Sequence, residues 1–171
     1  QRGFDSTRIL GSLHDRLSRI RVLDPACGCG NFLVVAYREI RDIERRLIIR
    51  MKELRGDMQI LTNVELDLRV KLGHFFGIEI EEWPARVAET ALFLVGHQAN
   101  VRLSETLGIA PEPLPISDAA TIIRGNALEM DWNDLVPARS DLFVVGNPPF
   151  VGMSKMNTRQ QSDNRRVFEY A

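Results

Sequence analysis

Apolar residues early in the chain recur at Ile9, Leu10, Leu13, Leu17 and Ile20, with arginines between them. This three-and-four spacing predicts an amphipathic lead-in helix from Phe4 to Ile20. Arg21-Val22-Leu23 reads as a short strand, and Asp24-Pro25-Ala26-Cys27-Gly28-Cys29-Gly30-Asn31-Phe32 as a tight glycine loop opening a long helix. On that helix Phe32, Val35, Ala36, Ile40, Ile43, Leu47 and Met51 form one side, with Arg38, Asp42 and Arg46 at i,i+4 spacing on the other. The pattern breaks around Arg55-Gly56-Asp57, and a weaker helical stretch is expected from Val64 to Leu72. A second strand is expected over His74 to Ile80, with Glu79 at its carboxyl end. Trp83-Pro84 then starts a helix, since a proline in the first turn lacks only an N–H that has no helical partner. Val87, Ala88, Ala91, Leu92 and Val95 are its buried side. Between Asn100 and Asp118, Pro111, Pro113 and Pro115 and weak periodicity predict a long surface loop with room for one turn of helix. Thr121 to Arg124 is a third strand with Gly125-Asn126-Ala127 as its exit. The continuous apolar run Leu142-Phe143-Val144-Val145 has the pattern of a fourth strand buried on both faces.

Strands separated by helices in this rhythm predict an α/β fold with an open, mostly parallel sheet and helices on both faces. Ligands of such sheets bind beyond the carboxyl ends of the strands. Asp24, Glu79, Asn126 and Asn147 all fall at those ends. With 171 residues, 44% of them hydrophobic, the chain can bury a real core as about one domain. Its net charge of −1 is unlike the basic balance of a dedicated nucleic-acid binder, so any contact with nucleic acid has to be local or made by other parts. No apolar run is long enough to cross a membrane and no signal peptide opens the chain, which makes the cytoplasm the expected location. The sequence holds two cysteines, Cys27 and Cys29, separated by one residue. That spacing suits neither a zinc site nor a mutual bridge.

Candidate chemistry concentrates in two places. After the fourth strand, Gly146 leads into Asn147-Pro148-Pro149-Phe150. Paired prolines supply no N–H and block both helix and ladder, which leaves the Pro148 carbonyl free to accept a hydrogen bond beside the Asn147 amide oxygen. Phe150 adds a flat ring. Two acceptors and a stacking face form a socket for a planar group bearing an NH2, whose nitrogen becomes nucleophilic when its protons are held so that it can pyramidalise. Taken alone, the tripeptide is equally a proline-rich turn after a core strand.

The other place is the glycine loop. Gly28-x-Gly30 before a helix has the outline of a dinucleotide fingerprint, but Leu33 occupies the position of its third glycine. Asp24 is poorly placed to meet a phosphate and well placed for a cationic ligand. S-adenosylmethionine, with an ammonium, a sulfonium and no phosphate, fits better, and Glu79 is positioned for ribose hydroxyls.

These stretches carry a resemblance. The loop Asp24 to Phe32, then Gly77-Ile78-Glu79-Ile80, Gly125-Asn126-Ala127-Leu128 and Gly146-Asn147-Pro148-Pro149-Phe150, resemble in order the motifs of amino-group DNA methyltransferases. They are most similar to the methyltransferase region of MmeI-like type II restriction–modification enzymes, from about Leu13 to the end of the chain. The resemblance implies a Rossmann-like methyltransferase fold using S-adenosylmethionine. Asp24, Pro25, Ala26, Gly28, Gly30, Asn31 and Phe32 would line the methionine end of the cofactor, Glu79 and Ile80 the ribose and adenine, and Asn126 and Ala127 the adenine ring. Many related enzymes carry Asp where Asn126 stands. Asn147 and Pro148, with Pro149, would hold the target amine, and Phe150 would stack on an adenine flipped out of double-stranded DNA.

The implied reaction is methyl transfer to adenine N6; cytosine N4, an RNA base, a protein glutamine, or a non-catalytic cofactor-binding fragment are the alternatives. The resembled fold has more strands than the four found here. Residues 1–20 are therefore expected to be a lead-in helix and 21–171 the first part of a truncated catalytic domain. Later strands, a target-recognition domain and a nuclease domain would belong to the rest of the same polypeptide, leaving an exposed sheet edge and a fragment inactive alone. A catalytic thiolate is not expected from Cys27 or Cys29. His14, His74 and His97 lack ligand spacing, so no metal site is expected. Trp83 and Trp132 are expected to pack, and the polar tail from Lys155 through Arg159 to Arg165-Arg166 is a solvated loop or a contact to the DNA backbone.

Overall fold

The computed structural model describes residues 2–55, 68–108, 118–149 and 151–168. Helix α1 spans Arg2–Leu17, strand β1 Arg21–Asp24 and helix α2 Asn31–Arg55. A 3-10 turn at Leu72–His74 leads into β2, Phe75–Glu79, followed by α3, Glu82–Leu107, and β3, Thr121–Arg124. A 3-10 turn at Ala127–Glu129, the short α4 at Trp132–Leu135, β4 at Leu142–Val144, a 3-10 turn at Met153–Lys155 and α5 at Thr158–Phe168 complete the described elements.

The four strands form one parallel sheet in the order β3-β2-β1-β4. Val22 pairs with Phe75 and Asp24 with Gly77, while Leu23 pairs with Val144 and Glu79 with Arg124. From β1 the chain steps outward through β2 to β3, and right-handed crossovers put α2 and α3 on the same face. The return to the far side of β1 reverses direction, so the connection carrying α4 crosses the other face. The core divides accordingly. Leu17, Val22, Leu33, Tyr37, Leu47, Phe75, Ala88 and Leu92 pack on the face of the long helices, and Leu23, Ile78 and Val136 pack on the other with Met130 and Trp132. Helical segments thus lie on both faces, as the alternating pattern predicts, but unequally: only the short α4 and the neighbouring 3-10 turn cover the second among the described residues.

Several expectations are corrected in detail. The third helix does not end near Asn100. It runs to Leu107, because Leu103, Ser104 and Leu107 continue its buried stripe, and Gly108 closes it at φ 67° with its N–H on Ser104 and Glu105 carbonyls. The later prolines fall in 109–117, outside the described residues. Of the weak helix expected from Val64 to Leu72, residues 68–71 are not helical and 64–67 are outside the described residues. Strand β4 is not buried on both faces: Phe143 and Val144 are each 53% exposed, because β4 is the edge of the described sheet and pairs only with β1.

On α2 the buried side is rotated from the apolar stripe, so that Phe32, Val35 and Ile43 face outward while Leu33, Tyr37, Arg41, Glu44, Leu47 and Ile48 are buried. Arg41 and Glu44 sit inside as an ion pair, with the Arg41 Nε left without a hydrogen-bond partner among the described residues. Glu44 Oε2 accepts from Arg41 at 2.6 Å, and Oε1 accepts from His14 Nε2 at 3.0 Å and from the backbone N–H of Arg69 at 2.7 Å and Val70 at 3.0 Å. The other arm of Arg41 donates to Asn100 Oδ1 at 2.7 Å, and its guanidinium lies 6.0 Å from the Tyr37 ring centre. One carboxylate therefore joins α1, α2 and the segment preceding the Leu72 turn, and through Arg41 it reaches α3. Burial pushes the Glu44 carboxyl up, but the His14 hydrogen bond, the Arg41 charge and the two N–H groups outweigh it, so the group stays below its ordinary value of 4.5.

Replacing Glu44 with Ala would leave a buried cation and two backbone donors without an acceptor, which costs about 3–5 kcal/mol. Urea unfolding should show a correspondingly lower midpoint at neutral pH. Because the folded carboxyl titrates below the unfolded one, its contribution is complete above the unfolded value and is lost as pH falls through the lowered folded value. The gap between wild type and Glu44→Ala should therefore narrow in acid; a constant gap would show that ionisation of Glu44 is not the source.

Candidate active site

The strand order reverses between β1 and β4, and the crevice at such a reversal is where parallel sheets hold ligands. Asp24 ends β1 on one side of it. On the other, Val145 donates its N–H to the Leu23 carbonyl at 2.9 Å, carrying the ladder one residue beyond β4 and setting Gly146 against Asp24. A Cβ at Gly146 would lie 2.6 Å from Asp24 Oδ1, and the residue takes φ 151°. Glycine is thus required where Asn147-Pro148-Pro149 leaves the sheet. These three residues are exposed. Phe150 lies outside the described residues.

The glycine loop is tied down at both ends. Cys27 donates its N–H to the Ile78 carbonyl at 3.0 Å, and Gly28 donates to Glu79 Oε2 at 2.9 Å. The other oxygen of Glu79 accepts from the Glu81 N–H at 2.9 Å, which links the loop to the residue just before α3. Gly30, at φ 83°, passes so close to α3 that an added Cβ would sit 3.0 Å from Ala88 Cβ, and its carbonyl accepts the Val34 N–H as α2 begins. A Cβ at Gly28 would meet nothing within 4 Å, so the loop turns an open, side-chain-free surface outward there. Pro25 and Ala26 are half-buried, Asn31 and Phe32 exposed at the start of α2. Ile80 is exposed beside Glu79.

Asp24 is 1% exposed. Burial raises its carboxyl pKa, the Ala26 N–H on Oδ1 lowers it in part, and the nearby charge of Glu79 raises it again. Among the described residues the hydrogen bond it accepts is that of Ala26, and no cation pairs with it. A buried acid without a counter-cation, beside an open glycine surface and a second carboxylate, favours a ligand bearing positive charge over a phosphate. Each Glu79 oxygen retains a lone pair beyond the N–H it already accepts. The chemistry of these residues fits a cofactor of the S-adenosylmethionine kind, and Asp24 and the glycine loop lie next to Glu79 and Ile80 along the strand tips. A cleft of about 360 Å³ lined by Leu72, Glu89, Thr90, Phe93, Ala119 and Ala120 lies elsewhere, between α3 and the approach to β3.

The third strand's exit is occupied differently from the other tips. Asn126 caps the 3-10 turn by accepting the Leu128 N–H at 3.1 Å, and its amide N–H donates to Asp163 Oδ2 at 2.9 Å. The residues after Asn-Pro-Pro are not all a solvated loop. They form the Met153–Lys155 turn and α5, whose Arg159 pairs with Glu129 and whose Arg166 donates to Asp163 at 2.8 Å and to the Leu128 carbonyl at 3.0 Å. Composition offers no signal for Asp163, since it reads as one more polar residue in a charged tail.

Trp83 does not pack: it is 77% exposed at the start of α3, close in sequence to Glu79 and Ile80. Trp132 does, donating to the Ala127 carbonyl at 2.8 Å. His14 is a buried partner of Glu44, and no group of three metal-ligating residues exists among the described residues. Cys27 is buried and Cys29 exposed, both unpaired. Burial, then the charges of Asp24 and Glu79, push the Cys27 thiol up to about 12, which removes it as a nucleophile.

Comparison with known proteins shows the family. The DNA-methyltransferase domain of MmeI matches residues 1–171. The chain belongs to that family. It is 36% identical to DNA methyltransferase A of Bacillus subtilis strain 168 over 168 residues, covering 96% of this chain and 18% of that protein. A solved structure of the type IIL restriction–modification enzyme MmeI in complex with DNA superposes with a TM-score of 0.88 at 41% identity, over 95% of this chain and 21% of the MmeI chain. The chain thus spans about a fifth of the length of these relatives. Among the described residues no helix is long and apolar enough to cross a membrane.

Two outcomes follow from the packing of the MmeI-type site. Gly146→Ala should destabilise the protein by about 1–3 kcal/mol, since the added methyl overlaps Asp24 and the backbone angle disfavours L residues; chemical denaturation measures it, and an unchanged midpoint would mean the two strand tips are not in contact. Alkylation of the native protein at about pH 8 should label Cys29 and spare Cys27, while denatured protein takes both labels, read by mass spectrometry.

Proposed function

We propose that this chain is the cofactor-binding and target-amine part of an S-adenosylmethionine-dependent DNA methyltransferase that modifies the N6 amino group of adenine, within a restriction–modification polypeptide. The observation that carries the reading is the adjacency of the β1 and β4 tips, with Gly146 seated on Asp24. A loop suited to a cationic methyl donor and a loop suited to an exposed amine thereby open into one crevice. Family membership supports the reaction class, and the DNA in the MmeI complex supports the substrate.

S-adenosylmethionine, when bound, supplies an electrophilic methyl group on a sulfonium. Asp24 offers a buried negative charge to the ammonium, and the N-terminus of α2, with no acidic residue in its first turn, favours the carboxylate. Glu79 accepts from the ribose hydroxyls, with Ile80 against the adenine. The Asn147 amide oxygen and the Pro148 carbonyl, kept free by Pro149, accept hydrogen bonds from the two N–H groups of the target amine and favour the pyramidal form whose lone pair can attack. Phe150 stacks on the flipped base, and a base–aromatic stack of about 1–3 kcal/mol offsets much of the unstacking cost. As the nitrogen–carbon bond forms the sulfur–carbon bond breaks, leaving a neutral thioether, and the acidified N–H loses its proton to water at this exposed loop, so no side chain has to act as a strong base.

The test uses the full polypeptide, duplex DNA and a donor labelled on its methyl. Digestion of the product should place the label in N6-methyladenine; label in N4-methylcytosine or in protein would overturn the adenine assignment. Asn147→Ala should lower the transfer rate about 100-fold or more while leaving donor affinity near that of wild type, since it removes an interaction that strengthens in the transition state. Calorimetry with the donor alone supplies the second readout.

A further inference from the structure

Asp163 is a charged residue buried where a helix surface would be expected. It is 6% exposed, in the middle of α5. Its Oδ1 accepts from Arg166 one turn later, an ordinary helical pair, but its Oδ2 reaches out of the helix to the Asn126 amide at 2.9 Å. Asn126 spends its side chain on two partners, donating to Asp163 and accepting from Leu128 N–H. These two bonds fix which end of the amide faces which way and leave one N–H and one lone pair for a ligand. Arg166 also donates to the Leu128 carbonyl, and Arg159 grips both Glu129 oxygens, so α5 holds the Asn126–Glu129 turn from both sides. The same helix follows the Asn147-Pro148-Pro149 loop in the chain.

We propose that Asp163 is a positioning residue: it orients the Asn126 amide at the end of β3, and so couples the adenine side of the cofactor site to the segment that follows the target-amine loop. The inference rests on the cofactor reading given above. It also accounts for the residue type at 126. A carboxylate there could not donate to Asp163, and two acids at hydrogen-bond distance would repel; an amide is the side chain of that size that donates to Asp163 while still accepting from Leu128. Asp163 thus carries the negative charge at this strand tip. Among the described residues, the charged groups hydrogen-bonded around the pair include Arg166 and Arg159 from α5 and Glu129 from the 3-10 turn, with Arg159 already engaged by Glu129.

The pair can be tested by reversing it in the full polypeptide. Affinity for S-adenosylmethionine is measured by calorimetry for wild type, Asn126→Asp, Asp163→Asn and the double variant, together with hydrogen exchange over residues 158–168. Asn126→Asp should bind about tenfold more weakly at about pH 8 and recover toward about pH 6, as one of the two facing acids takes a proton. The double variant exchanges donor and acceptor, with the amide now on α5 donating to the acid at the strand tip. It should return affinity to within about threefold of wild type and restore exchange protection in α5. Asn126→Asp with wild-type affinity across that pH range, or a double variant no better than Asn126→Asp, would overturn the inference and leave the cofactor reading standing. Wild type that fails to bind the cofactor overturns that reading, and this inference with it.

Discussion

The carboxylate of Glu44 is the contact on which the helical layer depends. It has no exposure to solvent and accepts hydrogen bonds from His14, Arg41, Arg69 and Val70, so the lead-in helix, the second helix and the approach to β2 meet at a single side chain. Arg41 extends the cluster to Asn100 on α3 and lies over Tyr37, whose ring meets Phe75 edge-on at 5.1 Å. A buried ion pair of this kind adds little over an apolar replacement, but it specifies one arrangement: any shift of the helices strands a charge or an N–H in the core. The long helices flanking the glycine loop are therefore placed by polar contacts as much as by apolar ones.

That placement is transmitted to the site through short links. Glu79 holds the Gly28 and Glu81 N–H groups, and Ala88 on α3 lies against Gly30, so the loop can move only with β2 and α3. Parallel pairing brings the carboxyl ends of β1 and β4 level, and Gly146 permits the closest approach between them. The glycine loop and the Asn-Pro-Pro loop consequently leave neighbouring strand tips, the placement that the proposed methyl transfer needs. On the far side, α5 folds back over the exit of β3, which turns a charged tail into part of the wall.

The strands, the glycine loop and the strand-tip residues Asp24, Glu79, Asn126 and Asn147 were legible because each depends on local pattern: short apolar runs, a turn that only glycine can make, and polar residues where a run stops. The buried side of α2 was legible only in part: Leu47 is buried and Ala36, Ile40 and Met51 pack against the core, as the stripe predicts. Arg41 and Glu44 look like solvated positions until a partner thirty residues away is brought beside them, and the apolar stripe through Phe32, Val35 and Ile43 then proves to face outward. Trp83 and the edge residues Phe143 and Val144 mislead for the opposite reason, since hydrophobicity reports a preference for burial and not whether a neighbour is present to provide it.

By itself, then, the order of residues determined the parallel α/β class, the positions of the strand ends and the motifs that mark this chain as an MmeI-type methyltransferase domain. Only the tertiary structure decided that the reversal of strand order falls between β1 and β4, that Asp24 is a buried acid with no cation beside it among the described residues, and that Asn126 is held by Asp163. The physical reason is range. Periodicity and turn chemistry act over a few residues and are written in sequence, whereas burial of a charge and the pairing of an amide with an acid 37 residues away depend on which surfaces the fold brings together.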